Sequence, residues 1–304
     1  VSPLLEGRAL VKRFGEVTVL REVSIALDRG ETVGLVGESG CGKTTLSRIL
    51  IGIEQASAGE VRLDGAPVVD PAGWARLRRR VQYVFQDPYT SLCPTMRIGA
   101  ALREPLDVHR IGAPSERADR VRAALARVGL PLEVAGRLPA QLSGGQRQRV
   151  SLARALMLEP EALICDEIVS GLDVSVQAQV LELLVELQRT LRLALLFVSH
   201  DLRVVRYLCD RVAVMYLGDI VEAGPAQVLF EDPRHPYTRG LLDAVPDPAR
   251  GPSRPIPGEP ASPRSRPAGC GFADRCPIRR PACATEAPPV VTIGARSVRC
   301  VAAA

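Results

Sequence analysis

Two stretches near the start alternate apolar and polar residues: Leu4 to Val11 and Val19 to Leu27. That period of two is what strands with one buried face require. Val61-Arg62-Leu63-Asp64-Gly65 adds a strand closed by a turn, so the spacing predicts an antiparallel sheet at the front of the chain. Short continuous apolar runs follow a different rule. Glu31–Val36, Val81–Phe85, Ala162–Cys165, Leu193–Val198 and Val212–Met215 read as strands, and the longest apolar run, Leu193–Val198, suits a buried parallel one. Between about residues 97 and 158 the period lengthens to 3.6. Arg120–Val128 and Gln146–Leu158 predict helices, and Pro131, Pro139 and Pro160 punctuate them. Val176, Val180, Leu183, Leu184, Leu187 and Leu191 form one stripe of an amphipathic helix.

Strands alternating with helices predict an α/β core, mainly parallel, with an antiparallel β subdomain and an inserted helical subdomain at about residues 88–158. The pattern fails after Asp243. Residues 246–289 hold twelve prolines, too many for a segment that builds an apolar core of its own. The expected division is a core domain over residues 1–240 and a Cys-containing extension over 241–304.

Composition narrows the classes. The 304 residues are 46% hydrophobic, as in a globular protein, and carry a net charge of +5. That excess is modest and gives nucleic-acid binding little support. Arg76, Arg78, Arg79 and Arg80 form the only tight basic run, read as a solvated face. No apolar run approaches the ~18 residues of a membrane span, and no signal peptide is visible. A soluble chain working in the cytoplasm is the expectation. Val1 leaves open a trimmed start, an alternative start codon or a longer polypeptide. Cys41, Cys93, Cys165 and Cys209 are expected to be small, mostly buried side chains.

Only two of the 39 basic residues are lysine, and one stands in Gly37-Glu38-Ser39-Gly40-Cys41-Gly42-Lys43-Thr44. The pattern G-x-x-x-x-G-K-[ST] needs a compact ammonium that reaches the β/γ-phosphates of a nucleotide, where a planar guanidinium does not fit the same cradle. The strand before it and the helix after it, from Thr45, aim backbone N–H groups at those phosphates. A second glycine-rich helix start is Leu142-Ser143-Gly144-Gly145-Gln146, another anion site by the same reasoning. Beyond it, the apolar strand Ala162–Cys165 ends in two carboxylates, Asp166 and Glu167. Ser170-Gly171-Leu172-Asp173 and Ser199-His200-Asp201 follow.

With Gln86, the order and spacing of these motifs resemble an ATP-binding-cassette (ABC) ATPase over residues 4 to about 230. The resemblance implies ATP as substrate and Mg²⁺ as cofactor. It implies that Thr44, Gln86 and Asp166 hold Mg²⁺, that Glu167 is the general base toward water, and that His200 contacts the γ-phosphate and Glu167. Gln86 senses the metal and links the site to the helical insert. Phe14 stacks on adenine, and Gly37, Ser39, Gly40, Cys41, Gly42, Lys43, Thr44 and Thr45 wrap the phosphates. Ser143, Gly144, Gly145 and Gln146 serve nucleotide held by the opposite subunit, so ATP binding closes a dimer and hydrolysis releases it. Two departures from the family stand out: Ile168 where proline is common, and Gly171 where alanine is usual. Both bear on the stiffness of the loop around Asp173.

Gln86-Asp87-Pro88-Tyr89-Thr90-Ser91-Leu92, Asp173-Val174-Ser175-Val176-Gln177-Ala178-Gln179-Val180 and His235-Pro236-Tyr237-Thr238-Arg239-Gly240-Leu241-Leu242 resemble the oligopeptide and dipeptide importers. The Tyr89 version, with Pro94 and Met96, resembles the second of their two ATPases. The resemblance implies an unlike second ABC ATPase domain, in some transporters fused in one chain. It also implies two transmembrane permease subunits met through the helical insert, a solute-binding protein acting indirectly, and a peripheral place on the cytoplasmic face of the membrane. The same branch serves nickel and other small solutes, and non-transport ABC ATPases exist, so cargo stays open. Cys270, Cys276, Cys283 and Cys300 have the spacing C-x5-C-x6-C-x16-C. Four thiols in a proline-rich segment read as a metal staple. The resemblance implies a [4Fe–4S] cluster; the spacing does not decide between that cluster and Zn²⁺, and free or disulfide-linked thiols are the third alternative.

Overall fold

The computed structural model describes residues 2–87, 91–245, 256–259 and 261–302. Pro88, Tyr89 and Thr90 of the importer-like motif lie outside them, as do ten residues of the proline-rich stretch, 246–255. In chain order the first elements are β1 (Leu5–Phe14), β2 (Val17–Leu27), β3 (Thr32–Val36), α1 (Lys43–Leu50), β4 (Ala58–Leu63) and β5 (Ala66–Pro67). Then come α2 (Pro71–Arg80), β6 (Val81–Val84), α3 (Ile98–Val108), α4 (Pro114–Arg127), α5 (Gly144–Leu156), β7 (Ala162–Asp166) and α6 (Val174–Leu191). The chain continues through β8 (Ala194–Ser199), α7 (Leu202–Leu208), β9 (Arg211–Tyr216), β10 (Asp219–Pro225), α8 (Ala226–Glu231) and α9 (Pro236–Asp243). It ends with α10 (Ala282–Thr285), β11 (Val291–Ile293) and β12 (Arg296–Val298). These residues form two compact units, one of residues 1–69 with 196–304 and one of residues 70–195.

The first unit holds an antiparallel sheet ordered β2-β1-β4-β5. Leu5 faces both Leu27 and Leu63 across it, as the alternation predicts. A second sheet carries β11-β12-β10-β9-β3 in that order. β3 and β9 run parallel, with Val33 opposite Arg211 and Val36 opposite Val214. Every residue of β3 is buried, as its unbroken apolar run requires. Leu46, Ile49 and Leu50 of α1 are buried in the same unit.

The described residues of the proline-rich extension share the core of the first unit. β12 pairs antiparallel with β10, Glu222 opposite Val298, and β11 folds back on β12. Phe272 is 2% exposed and meets the rings of Tyr216 and Tyr237 at 5.3 and 5.4 Å.

In the second unit β6 and β7 are parallel, with Val81 opposite Ala162. Leu102, Leu106, Val121, Leu125, Val150 and Leu152 of α3, α4 and α5 are buried. On α6 the predicted stripe is buried at Val180, Leu183, Leu184 and Leu187, while its end, Leu191, is 37% exposed.

The arginine run at 76–80 sits on a helix, α2, that periodicity does not predict. Asp70 caps it, accepting from Gly73 N–H at 2.6 Å, and Pro71 occupies its first turn. Leu77 is its only buried residue. Arg76, Arg78 and Arg79 are exposed as expected, but Arg80 forks onto Glu161, one arm at 2.9 Å. A second correction concerns Cys93. It is exposed, whereas Cys41, Cys165 and Cys209 are buried.

Candidate functional site

The phosphate loop, in the first unit, joins β3 to α1. Its glycines are required by space and by backbone geometry. A Cβ on Gly37 would stand 2.1 Å from the Met215 carbonyl oxygen, and Gly42 caps α1 at φ 110°. Lys43 opens the helix and is 4% exposed. Its Nζ donates to the carbonyls of Gly37 at 2.8 Å and Glu38 at 3.1 Å, so the ammonium is folded over its own loop. Ser39 and Gly40 are exposed, and Thr44 and Thr45 are half-buried in the first turn of α1. Cys41 is buried, which pushes its thiol pKa up against the opposing pull of Lys43. Phe14, at the end of β1, is 48% exposed, with Lys12 Nζ 4.6 Å from its ring centroid. An exposed flat ring suits stacking on a base. His200 is exposed directly after β8, and Asp201 caps α7 by accepting from Arg203 N–H at 2.9 Å.

The second unit carries the carboxylates. Asp166 ends β7 and is 3% exposed. Tyr83 of β6 donates its hydroxyl to Asp166 Oδ2 at 2.6 Å. Glu167 has φ 48°, a left-handed conformation uncommon for glutamate. The strand turns sharply there, and Ser170 secures the turn by donating both its N–H, at 3.0 Å, and its hydroxyl, at 2.7 Å, to the Glu167 carbonyl. Gln86 Nε2 donates to Glu167 Oε2 at 3.0 Å and to Ser170 Oγ at 3.4 Å. Gln86, Asp166 and Glu167 thus form one cluster. Gly171, one of the two departures, has φ +76°, so the alanine usual there would be strained in this backbone. Ile168, the other, is buried.

Ser143 caps α5 with a reciprocal box. Its hydroxyl accepts from Gln146 N–H at 3.3 Å, and Gln146 Oε1 accepts from Ser143 N–H at 3.1 Å. Gly145 packs where no side chain fits, because a Cβ would lie 2.4 Å from Val176 Cγ1. The box and the close packing leave a rigid, glycine-faced helix start. Within the second unit, the carboxylate of Asp166 is a hard oxygen donor of the kind that suits Mg²⁺.

Cys270, Cys276, Cys283 and Cys300 line one small cavity with His235 and Phe272, and none is in a disulfide. Burial raises the Cys270 and Cys276 thiol pKa values, each further raised by neighbouring cysteines. Their donor chemistry suits soft metals. Even so, among the described residues no group of three or more His, Cys, Asp or Glu side chains is placed to hold a metal ion. The sulfurs converge without forming a ligand set as they stand.

Comparison with known proteins shows the family and the fold. Residues 20–170 match the ABC transporter family, and residues 221–283 match the oligopeptide/dipeptide transporter C-terminal region. A "Putative peptide import ATP-binding protein" of Brucella abortus (strain 2308) is 50% identical over 299 residues, 97% of this chain and 88% of its own. A protein of the same description from Brucella ovis is 48% identical over 296 residues, 94% of this chain and 93% of its own. Among solved structures, cbiO1 from Clostridium perfringens, part of the ABC transporter complex cbiONQ, superposes with a TM-score of 0.69 at 29% identity, over 76% of this chain and 92% of its own. A dimeric post-hydrolysis state of the ATP-binding cassette MJ0796, bound to ADP and Pi, gives 0.66 at 28% identity, over 73% of this chain and 98% of its own. From the capped phosphate loop, the carboxylate-ended strand and these relatives, the chain belongs to the ATP-hydrolysing subunits of ABC transporters, in the group that carries the oligopeptide/dipeptide transporter C-terminal region.

Proposed function

We propose that this chain powers the import of peptides. The observation that carries the cargo class is the match of residues 221–283 to the oligopeptide/dipeptide region, together with the printed descriptions of the relatives. In this reading residues 1–240 bind nucleotide and 241–304 are an extension of the peptide-importer type. The chain works from the cytoplasmic face of the membrane as a peripheral subunit. Among the described residues no helix is long and apolar enough to cross the bilayer, so the permeability path belongs to two partner permease subunits.

The residue roles follow the chemistry. Lys43 and the loop N–H groups bind the β- and γ-phosphates, and Phe14 stacks on the adenine. Thr44, Gln86 and Asp166 would hold Mg²⁺, which when bound neutralises phosphate charge. Glu167 takes the proton from water. Gln86, hydrogen-bonded to Glu167, orients that carboxylate. His200 contacts the γ-phosphate. Ser143, Gly144, Gly145 and Gln146 act on nucleotide held by an unlike partner ABC ATPase domain, this chain being the second-ATPase type of the pair. ATP-driven closure of that pair is the power stroke.

The helical subdomain at about 88–158 receives the permeases. Its support is a groove of about 410 Å³ lined by Tyr83, Phe85, Glu104, His109, Ser151 and Arg154 among others. Arg154 and Glu104 pair in it at 2.7 Å, which adds polar groups to its walls. In the extension, a [4Fe–4S] cluster or Zn²⁺ on Cys270, Cys276, Cys283 and Cys300 would staple the fold, supported by four unbridged thiols facing one cavity. It has no part in the ATP step. Iron, sulfide and zinc analysis of anaerobically purified protein tests it, and an apo, colourless, correctly folded sample counts against it.

The decisive experiment is reconstitution with its permease subunits and solute-binding protein. ATP turnover should rise with added peptide. A rise with nickel or another small solute and none with peptide overturns the cargo assignment.

A further inference from the structure

One residue of the phosphate loop is gripped from three directions. The Glu38 N–H donates to Tyr237 Oη at 2.8 Å. Its carbonyl accepts from Lys43 Nζ at 3.1 Å. Its two carboxylate oxygens accept from the two terminal nitrogens of Arg275, at 2.7 and 3.0 Å. The outer two partners lie 199 and 237 positions along the chain.

Both are set firmly. The Arg275 side chain is 6% exposed and sits between Cys270 and Cys276 in sequence. Its Nε donates to the Pro257 carbonyl at 3.0 Å, and its guanidinium lies 5.9 Å from the Phe272 ring centroid. Tyr237 is fully buried and packs on Tyr216, ring centroids 4.6 Å apart. Its N–H donates to His235 Nδ1 at 3.0 Å. The N–H groups of Arg234 and His235 donate in turn to the buried carboxylate of Glu222, each at 2.9 Å.

The charge balance makes this grip informative. A loop built to receive a triphosphate gains from every N–H and cation and loses from a nearby carboxylate. Glu38 brings such a carboxylate into that loop. A bidentate Arg–carboxylate pair neutralises it and fixes its direction. Tyr237 holds the amide of the same residue, so the backbone beside Gly37 is pinned as well.

We propose that Arg275 and Tyr237 are positioning residues for nucleotide. Through Glu38 they keep the phosphate loop in its receiving shape, and they make ATP affinity depend on the folded state of the cysteine-bearing extension. This rests on the reading of residues 37–45 as the phosphate site. Chemistry at Glu167 is untouched by it, so the effect falls on nucleotide binding and not on the hydrolytic step.

The test uses the full chain, with a fluorescent ATP analogue for affinity and the reconstituted transporter for KM and kcat. Arg275→Met should weaken nucleotide binding roughly tenfold, seen in Kd and KM, with kcat within about twofold. Adding Glu38→Gln to that variant removes the stranded charge and should bring affinity back to within about threefold of wild type. A simple packing role for Arg275 gives no such rescue. Tyr237→Phe keeps the ring and removes only the acceptor, and should weaken binding about threefold. Wild-type affinity in Arg275→Met, or a defect that Glu38→Gln does not relieve, overturns the proposal. If Arg275→Met fails to fold, Tyr237→Phe decides alone, and unchanged affinity there overturns it. Lys43→Ala separates the two readings. Retained nucleotide binding in that variant sinks the phosphate site itself, whereas lost binding beside a wild-type Arg275→Met sinks only the clamp.

Discussion

The phosphate loop and the carboxylate-ended strand are built on opposite plans. The loop's receiving groups come largely from its own backbone: N–H groups at the start of α1, glycines where a Cβ would strike Met215, and a lysine folded over its own carbonyls. The end of β7 works through side chains and borrows its order from elsewhere. Asp166 depends on Tyr83, and Glu167 depends on Gln86, both some eighty positions earlier. A main-chain site tolerates side-chain change except at glycine, at lysine and at the Glu38 clamp that holds its backbone in shape. A side-chain site is only as good as the residues that orient it.

The contrast is sharpest at Glu167. Glu167→Gln should lower ATP turnover by about a hundredfold to ten-thousandfold while nucleotide binding persists, and should trap the closed dimer. Steady-state hydrolysis and sizing with ATP in the assembled transporter would show it. Wild-type turnover would remove Glu167 from the mechanism.

Lys43→Arg probes the other plan. It preserves charge and loses the compact shape, and should weaken nucleotide affinity roughly a hundredfold. Unchanged affinity would mean the cradle does not discriminate shape.

Tyr83→Phe strips the borrowed support from a buried carboxylate. A loss of about 1–3 kcal/mol in unfolding free energy is expected by denaturant titration, with Mg²⁺-dependent turnover reduced alongside. No change in either would show that Asp166 orients itself.

The mildest probe is chemical. Cys93 is exposed and its thiol pKa is lowered, chiefly by the Thr95 hydroxyl at 3.4 Å, whereas burial pushes Cys165 up to about 12. As pH rises the Cys93 thiolate forms first, so iodoacetamide at neutral pH should label Cys93 and spare Cys165 by at least tenfold in rate. Equal labelling, read by peptide mass spectrometry, would show that the strand ending in Asp166 opens to solvent.

Sequence made the two plans unequally legible. The apolar runs of β3, β7 and β9 predict strands within a residue or two, because a strand buried on both faces leaves little choice of residue. The glycine–lysine loop is legible because its chemistry is local. α2 escapes the pattern because a helix with one buried residue, Leu77, has no stripe to read. β11 and β12 span three residues each, too short for periodicity. The left-handed Glu167 is equally hidden, since glutamate gives no sign of a positive φ. Most opaque is Glu38, whose partners are set by tertiary folding across more than half the chain.

The pairing of β12 along β10 carries one more consequence. Glu222 and Ala223 meet Val298 and Ser297, and Arg299 N–H reaches the Val221 carbonyl at 2.8 Å. A long outer strand with vacant amides is a template for other chains, and a three-residue one is a poor template. The three-residue β11 at that edge of the sheet offers another chain little to pair with. A chain cut short before residue 290 would keep its nucleotide motifs and lose that short edge, and would be expected to clump.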